Sequence, residues 1–303
     1  MKPRVSVVIP TYNRKSVLLE SIASVQNQTV RELEILVCDD GSTDGSSDAV
    51  GLLMQRDARI RWIPGEHSGY PGISRNRGIR AAAGEWIAFQ DSDDLWLPQK
   101  LERQLRIPDS ISDARFIYSY AVTQFPDGSR KRMTPFRVRR QGRVFETLLL
   151  HSVIQTPTVL VRRDALDQAG LFDEQMKLTI AEDYELYLRL AAEFSFYFVA
   201  EELVICRPQH DSISADVFGG LDQIAQVLLA TIRKFDVPQP LAALVLSRVD
   251  LRRYKHRLLK GYPREARMSA LKAALGRYPG GALAWTLWLA ELLCLARLVR
   301  AFV

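Results

Sequence analysis

The chain has only three cysteines, Cys38, Cys206 and Cys294, set far apart and with no Cys-x-x-Cys. That argues against a disulfide framework or a cysteine zinc site and for reduced thiols in a cytosolic setting. No Gly-x-x-x-x-Gly-Lys-Ser/Thr occurs, so a P-loop is not supported. No Gly-x-Gly-x-x-Gly follows the first apolar run, so a dinucleotide fingerprint is not supported either. Met1-Lys2-Pro3-Arg4 leads into a short strand-like run without a long apolar stretch, and no secretory signal is expected. What is present is ordinary for a globular protein: 303 residues, 47% hydrophobic and 25% charged. That suffices for one large domain, alone or with a smaller appendage. The formal charge of +6 suits an anionic substrate or an anionic membrane surface.

The first hundred residues alternate between strand and helix. Val5-Ser6-Val7-Val8-Ile9 is a short β-branched run ended by Pro10, and a helix is expected from Ser16. Leu33 to Cys38 reads as a second strand, with a helix from about Ser46, and Arg59 to Ile63 as a third. Gly69 to Gly72 reads as a loop, Ser74 to Ala83 as a helix, and Trp86-Ile87-Ala88-Phe89 as a fourth, buried strand. Short loops between such elements imply an α/β fold with a mostly parallel sheet and helices on both faces. Ligands of such sheets bind beyond the carboxyl ends of the strands. Polar clusters fall at three of those ends: Thr11 to Arg14, Asp39 to Asp44, and Asp91 to Asp94.

The last cluster, within GEWIAFQDSDDLWLP (Gly84 to Pro98), sets three carboxylates directly after a buried strand. Close like charges repel and raise one another's pKa. A hard divalent cation, bound by carboxylate and phosphate oxygens, relieves both burial and repulsion. An acidic turn capping the next segment is the simpler reading of any one Asp-x-Asp. Asp40-Gly41 with the Ser/Thr/Asp after it likewise forms a turn and cap by ordinary local chemistry.

Four stretches in order carry a resemblance: VSVVIPTYNR (Val5 to Arg14), DDGSTDG (Asp39 to Gly45), SRNRGIRAAAGEWIAFQDSDDLW (Ser74 to Trp96) and AEDYELYLRL (Ala181 to Leu190). Together they resemble the inverting family 2 glycosyltransferases of GT-A fold, over roughly residues 4 to 215. The resemblance implies a nucleotide-diphospho-sugar transferase fold, to which the helical pattern beyond Asp216 adds a C-terminal helical region. It implies a catalytic domain over 1–215, its nucleotide-sugar part about 1–98 and its acceptor part about 99–215; by pattern a helical region, 216–303, follows.

By the same resemblance Pro10, Thr11, Tyr12, Asn13, Asp39 and Asp40 hold the nucleoside, with Arg75 and Asn76 nearby. A carboxylate in that place can accept the ring N–H of uracil. Asp91-Ser92-Asp93 matches the Asp-x-Asp motif. Asp93 is expected to ligate Mn2+ or Mg2+, Asp91 to meet the ribose or the metal, and His210 to complete the metal or diphosphate site. Asp183 matches the general base that deprotonates an acceptor hydroxyl, and Glu182 an acceptor-binding or orienting neighbour. Adjacent helical residues point ~100° apart, so the two do not serve one proton. Acids in a first helical turn are also favoured by the helix dipole alone.

The expected activity is metal-dependent, inverting transfer of a hexosyl or N-acetylhexosaminyl group from a UDP-sugar to a hydroxyl of a glycan, lipid-linked or protein acceptor. Bacterial cell-surface glycan synthesis is the expected setting. The Gln-x-x-Arg-Trp of processive members is not found, which points to single transfer. Two other readings stay open. A nucleotidyltransferase on a related fold would release pyrophosphate. A silent glycan- or membrane-binding scaffold would not need the acids found at every motif position.

Elsewhere the sequence says less. Phe116 to Tyr120 reads as a strand on the acceptor side, and Thr158 to Val161 as a strand entering a helix. Ser129 to Arg143 reads as a basic loop, solvated or acceptor-facing, with Arg137, Arg139 and Arg140 as its charges. Beyond Asp216, helices are expected near 218–235, 239–260, 263–277 and 281–301, divided by Pro238, Pro263 and Pro279-Gly280-Gly281. No nucleic-acid motif accompanies the basic stretch from Arg252 to Arg277. The last helix has a broad apolar face, suited to packing or to an interface. A cytoplasmic protein is expected, peripheral to the membrane through these helices.

Overall fold

The computed structural model of the chain describes residues 2–132, 140–209, 217–278, 281 and 285. Two compact units divide it, Met1–Ser212 and Ile213–Val303.

The first unit is built on one sheet, of nine strands among the described residues. β1 (Val5–Thr11) lies between β2 (Leu33–Asp39) and β4 (Trp86–Phe89), parallel to both. β3 (Ile60–Ile63) extends the sheet beyond β2, also in parallel. The connecting helices are α1 (Lys15–Gln26), α2 (Ser46–Met54) and α3 (Pro71–Ala81). α1 forms because Leu18, Ile22 and Val25 share one face, and that face is buried against Val5, Val7, Ile9 and Ile35. Burying such side chains contributes about 1.5–3 kcal/mol each. α3 begins three residues earlier than the sequence suggests, because Pro71 takes its first turn, where a missing N–H costs nothing.

The order β3-β2-β1-β4 reverses its winding at β1, which opens a crevice beyond the strand ends there. Thr11 is paired with Asp39 in the β1–β2 register, so the first two polar clusters are neighbours.

Past β4 the pairing changes. β5 (Leu95–Trp96) is a two-residue strand, followed by α4 (Lys100–Ser110). β6 (Phe116–Gln124) runs parallel to β9 (Phe196–Cys206), and β7 (Arg130–Arg132) pairs with β6 antiparallel. β8 (Leu160–Arg162) inserts antiparallel between β4 and β6, and β5 pairs antiparallel with β9. The strand expected from Thr158 starts later, since a 3-10 turn (Thr156–Thr158) with Pro157 at its start precedes it. α5 (Phe145–Leu150), α6 (Arg163–Ala169) and α7 (Glu182–Glu193) complete the unit.

The second unit contains α8 (Val217–Lys234), α9 (Gln239–Leu259) and α10 (Arg264–Arg277). Tyr254 and Leu258 of α9 pack on Ala270 and Leu271 of α10. Asp250, almost fully buried, is held by Arg253 and Arg277, each at 2.9 Å. The helix expected near 281–301 lies outside the described residues save 281 and 285. No described helix is long and apolar enough to cross a membrane.

Candidate active site

Three strand ends and one helix N-terminus build the site. After β1, Asn13 adopts a left-handed backbone (φ 49°), a conformation asparagine tolerates better than most residues. Its Oδ1 accepts the Thr43 N–H at 2.7 Å, and its own N–H donates to Ser42 Oγ at 2.9 Å. This ties the β1 turn to the β2 turn. Asp39, buried, accepts the N–H groups of Gly41 and Ser42. Asp40 accepts from Ser68 N–H (3.1 Å), Ser68 Oγ (2.8 Å), Gly69 N–H (2.9 Å) and Ser74 Oγ (3.2 Å). It therefore holds the loop before α3 against β2. Asp44 takes the Lys15 and Ser46 N–H groups, and these bonds, with that from Ser46 Oγ, outweigh burial and hold its pKa down. Tyr12, half-exposed, stacks on His67 with ring centres 4.0 Å apart. Pro10 precedes this turn within β1.

The loop after β4 is fixed from behind. Gln90 Nε2 donates to the Asp94 carbonyl (2.7 Å) and to Ser21 Oγ (3.0 Å), and Ser21 Oγ donates to the Asp91 carbonyl (3.0 Å). Ser92 is buried. Each acid then meets a cation or an amide. Asp91 pairs with Arg75 at 2.8 Å and Asp93 with Arg14 at 2.7 Å. The Asp94 carboxylate accepts the Arg207 N–H at 3.0 Å, while Arg207 Nε donates to the Asp93 carbonyl at 2.8 Å. Burial, then repulsion from Asp91, raises the pKa of Asp93, against the pull of Arg14. Asp94 is pushed well up by burial and by both neighbours.

The first turn of α7 faces this loop through Arg75. That side chain is buried on α3 and donates to Glu182 Oε1 at 2.5 Å as well as to Asp91. Burial opposes its charge, but Asp91 and Glu182 outweigh that and raise its pKa. Asp183 accepts from Thr156 Oγ1 on Oδ2 and from the Tyr184 N–H on Oδ1, both at 2.6 Å. Burial, then the neighbouring Glu182, pushes its pKa up to about 7. A carboxylate so placed takes up a proton near neutral pH, as a general base must.

Asn76 sits on α3 beside Arg75, but its carboxamide is engaged elsewhere. It donates to the Phe172 carbonyl (2.9 Å) and Glu174 Oε1 (2.8 Å) and accepts the Phe172 N–H (3.0 Å). It thereby clamps the Gly170–Glu174 stretch that leads to α7. Arg189 of α7 grips the same stretch from the other side, donating to the carbonyls of Ala169, Gly170 and Leu171.

Arg140, read from sequence as a loop charge, is instead 9% exposed, its guanidinium over the Tyr120 and Phe198 rings. The aromatic faces of β6 and β9 offer it a better environment than the loop does. Arg137, Arg139 and His210 lie outside the described residues. Cys38 and Cys206 carry reduced thiols, and burial pushes Cys38 up to about 12.

Among the described residues no group of three or more His, Cys, Asp or Glu is set to hold a metal. Asp91 and Asp93 nonetheless fit Mn2+ or Mg2+ chemically: both are hard oxygen donors, and Asp93 is desolvated and crowded by like charge. These cations commonly take few carboxylates and fill their shell with phosphate and water. Sequence reasoning did not single out Thr156, His67 or Arg189. Arg14 was legible only as the last residue of the first motif.

A sheet that reverses its winding at β1, with acids at its strand ends and a partly buried carboxylate on α7, has the GT-A architecture of nucleotide-diphospho-sugar transferases. The model of glycosyl transferase family 2 matches residues 6–170, and the chain belongs to that family of glycosyltransferases. An uncharacterized glycosyltransferase of Rickettsia bellii is 34% identical over 69% of this chain and 29% of its own length. The putative teichuronic acid biosynthesis glycosyltransferase TuaG of Bacillus subtilis is 29% identical over 71% of this chain and 83% of its own. The chain thus spans less than a third of the first curated relatives it matches. In solved structures, S. aureus TarS 1-349 in complex with UDP-GlcNAc aligns with a TM-score of 0.69, covering 99% of this chain and 90% of that one. At 19% identity that likeness is one of fold.

Proposed function

We propose that the protein transfers one sugar from a UDP-linked donor to an acceptor hydroxyl with inversion, in the synthesis of a bacterial cell-surface glycan. The observation that carries this is Asp183, a partly buried carboxylate whose pKa is pushed up to about 7, joined through Glu182 and Arg75 to the acidic loop. Tyr12, Asn13, Asp39 and Asp40 form the nucleoside side, Tyr12 offering a ring face and Asp39 a carboxylate for the base. Arg75 fixes Asp91 and Glu182 at the sugar. Asp183 takes the acceptor's proton as its oxygen attacks the anomeric carbon from the face opposite the diphosphate. The bond from that carbon to the diphosphate oxygen breaks, and its electron pair leaves with the nucleoside diphosphate. Asp93 and Asp91, with His210 as a further ligand, would hold a divalent cation, which when bound would neutralise charge on that leaving group. Arg14 and Arg207 place further positive charge beside the same loop.

TuaG is named for teichuronic acid biosynthesis and TarS is described with UDP-GlcNAc, which supports a UDP-linked donor and a cell-surface setting. The acceptor is proposed to be a lipid-linked or glycan hydroxyl, met at the cytoplasmic face of the membrane. Between Arg248 and Arg277 ten Lys and Arg face two Asp and Glu, a larger positive excess than the +6 of the whole chain. A panel of UDP- and GDP-sugars with Mn2+ tests the reading. UDP release from a UDP-sugar is expected to rise with pH through about 7, as Asp183 ionises, and then level off. Asp183→Asn is expected to lower it about 10²–10⁴-fold with donor binding kept. Full activity in that variant, or release of pyrophosphate from UTP, would sink the proposal.

A further inference from the structure

We infer that Thr156 is a positioning residue for the base, its hydroxyl orienting the Asp183 carboxylate and favouring its ionised form. This rests on the reading of Asp183 as that base. The Thr156 Oγ1 to Asp183 Oδ2 distance is 2.6 Å, the length of a charge-assisted O–H···O⁻ bond. Thr156 is buried and the bond to the partly buried Asp183 is shielded on the threonine side. With the Tyr184 N–H on Oδ1, each carboxylate oxygen has one fixed donor, and the plane of the group is set before any acceptor arrives.

The turn that carries Thr156 is itself anchored to the acidic loop and the helix after it. Trp96 Nε1, two residues past Asp94, donates to the Pro157 carbonyl at 2.9 Å. Gln104 Nε2 of α4 donates to the Thr158 carbonyl at 2.8 Å. The buried Lys100 spans these two anchors, its Nζ 3.9 Å from the Trp96 ring centre and 2.8 Å from Gln104 Oε1. Thr158 Oγ1 closes the turn on the Gln155 carbonyl at 2.6 Å. The donor-binding loop therefore sets the orientation of the base through Trp96, the 3-10 turn and one hydroxyl.

Among the described residues the charged and titratable groups acting on Asp183 include Glu182 and Tyr187 on its own helix, Tyr187 also lying beside Thr156, and Arg75 on α3. α5 meets α7 with the Leu148 carbonyl, bonded by the Tyr184 hydroxyl, and α6 with the carbonyl bonded by Arg189. Against that background the Thr156 hydroxyl lowers the pKa of Asp183, alongside Arg75 and the Tyr184 N–H. A threonine that only filled space would leave the titration where it is.

Carbon-13 NMR of aspartate carboxyls in the full chain tests this without any substrate, the Asp183 signal being the one lost in Asp183→Asn. The wild-type midpoint is expected near pH 7. Thr156→Val, isosteric and without the hydroxyl, is expected to raise it by about one unit. Thr156→Ser is expected to restore it. The acid limb of UDP-GlcNAc or UDP-glucose turnover should move with the midpoint, with donor KM unchanged. Should Thr156→Val melt early, Thr156→Ala makes the same comparison. A midpoint that stays in place in the hydroxyl-free variants overturns the inference. Turnover that survives Asp183→Asn overturns the base assignment instead.

Discussion

Asp94 shows how far a single buried acid can be pushed in this fold. Its folded-state pKa lies above the unfolded value, so folding favours its protonated form. The stability this gives is fully present below the unfolded pKa and is lost as pH rises through the folded one. Asp94→Asn keeps an acceptor for the Arg207 N–H and removes the charge. Its melting temperature is therefore expected to fall less than that of wild type between pH 5 and pH 9, and parallel melting curves would refute this. At this scale the acids were legible in sequence, because Asp91, Asp93, Glu182 and Asp183 stand in short motifs. Their partners were not. Arg14 reaches Asp93 across 79 positions, Arg75 reaches Glu182 across 107, and Thr156 reaches Asp183 across 27. No local spacing encodes such pairs.

Among the elements, the turn before β4 lies tight against β1 at Gly84. Its N–H donates to Ser6 Oγ at 2.8 Å, and a Cβ there would stand 2.7 Å from Ser6 N and 2.8 Å from the Val5 carbonyl carbon. Those are backbone atoms within the sheet and cannot swing aside. Gly84→Ala is expected to destabilise the protein by more than about 2 kcal/mol, read from urea unfolding; a loss under about 0.5 kcal/mol would show that β4 can shift. The four parallel strands were legible because each is a short apolar run with turn residues after it. The insertion of β8 between β4 and β6 was not, since its three residues carry no pattern that selects antiparallel partners. β5, two residues long, was hidden for the same reason.

For the whole molecule the balance of charge separates the two units. The turn between α9 and α10 exposes Leu259 (68%) and Tyr262 (41%) beside Lys260 and Arg264. Apolar tips ringed by cations suit an anionic bilayer, where each Lys or Arg near the surface contributes about 1 kcal/mol. The full chain is expected to sediment with phosphatidylglycerol vesicles and to be released by salt. The double variant Lys260→Glu with Arg264→Glu should weaken this by about tenfold or more. Equal binding to neutral vesicles, or no loss in that variant, would remove the membrane from the proposal.

The pair of Arg14 with Asp93 has a consequence for the sequence of events in a catalytic cycle. The carboxylate assigned to the cation already has a guanidinium against it, on the same turn that presents Tyr12 and Asn13 to the nucleoside. A cation arriving alone would have to compete with that guanidinium for the carboxylate. A nucleoside diphosphate, on the proposed reading, would bring negative charge to which Arg14 could turn, freeing Asp93. On the proposed reading donor and cation would therefore bind together, and the Arg14–Asp93 pair would re-form once both had gone.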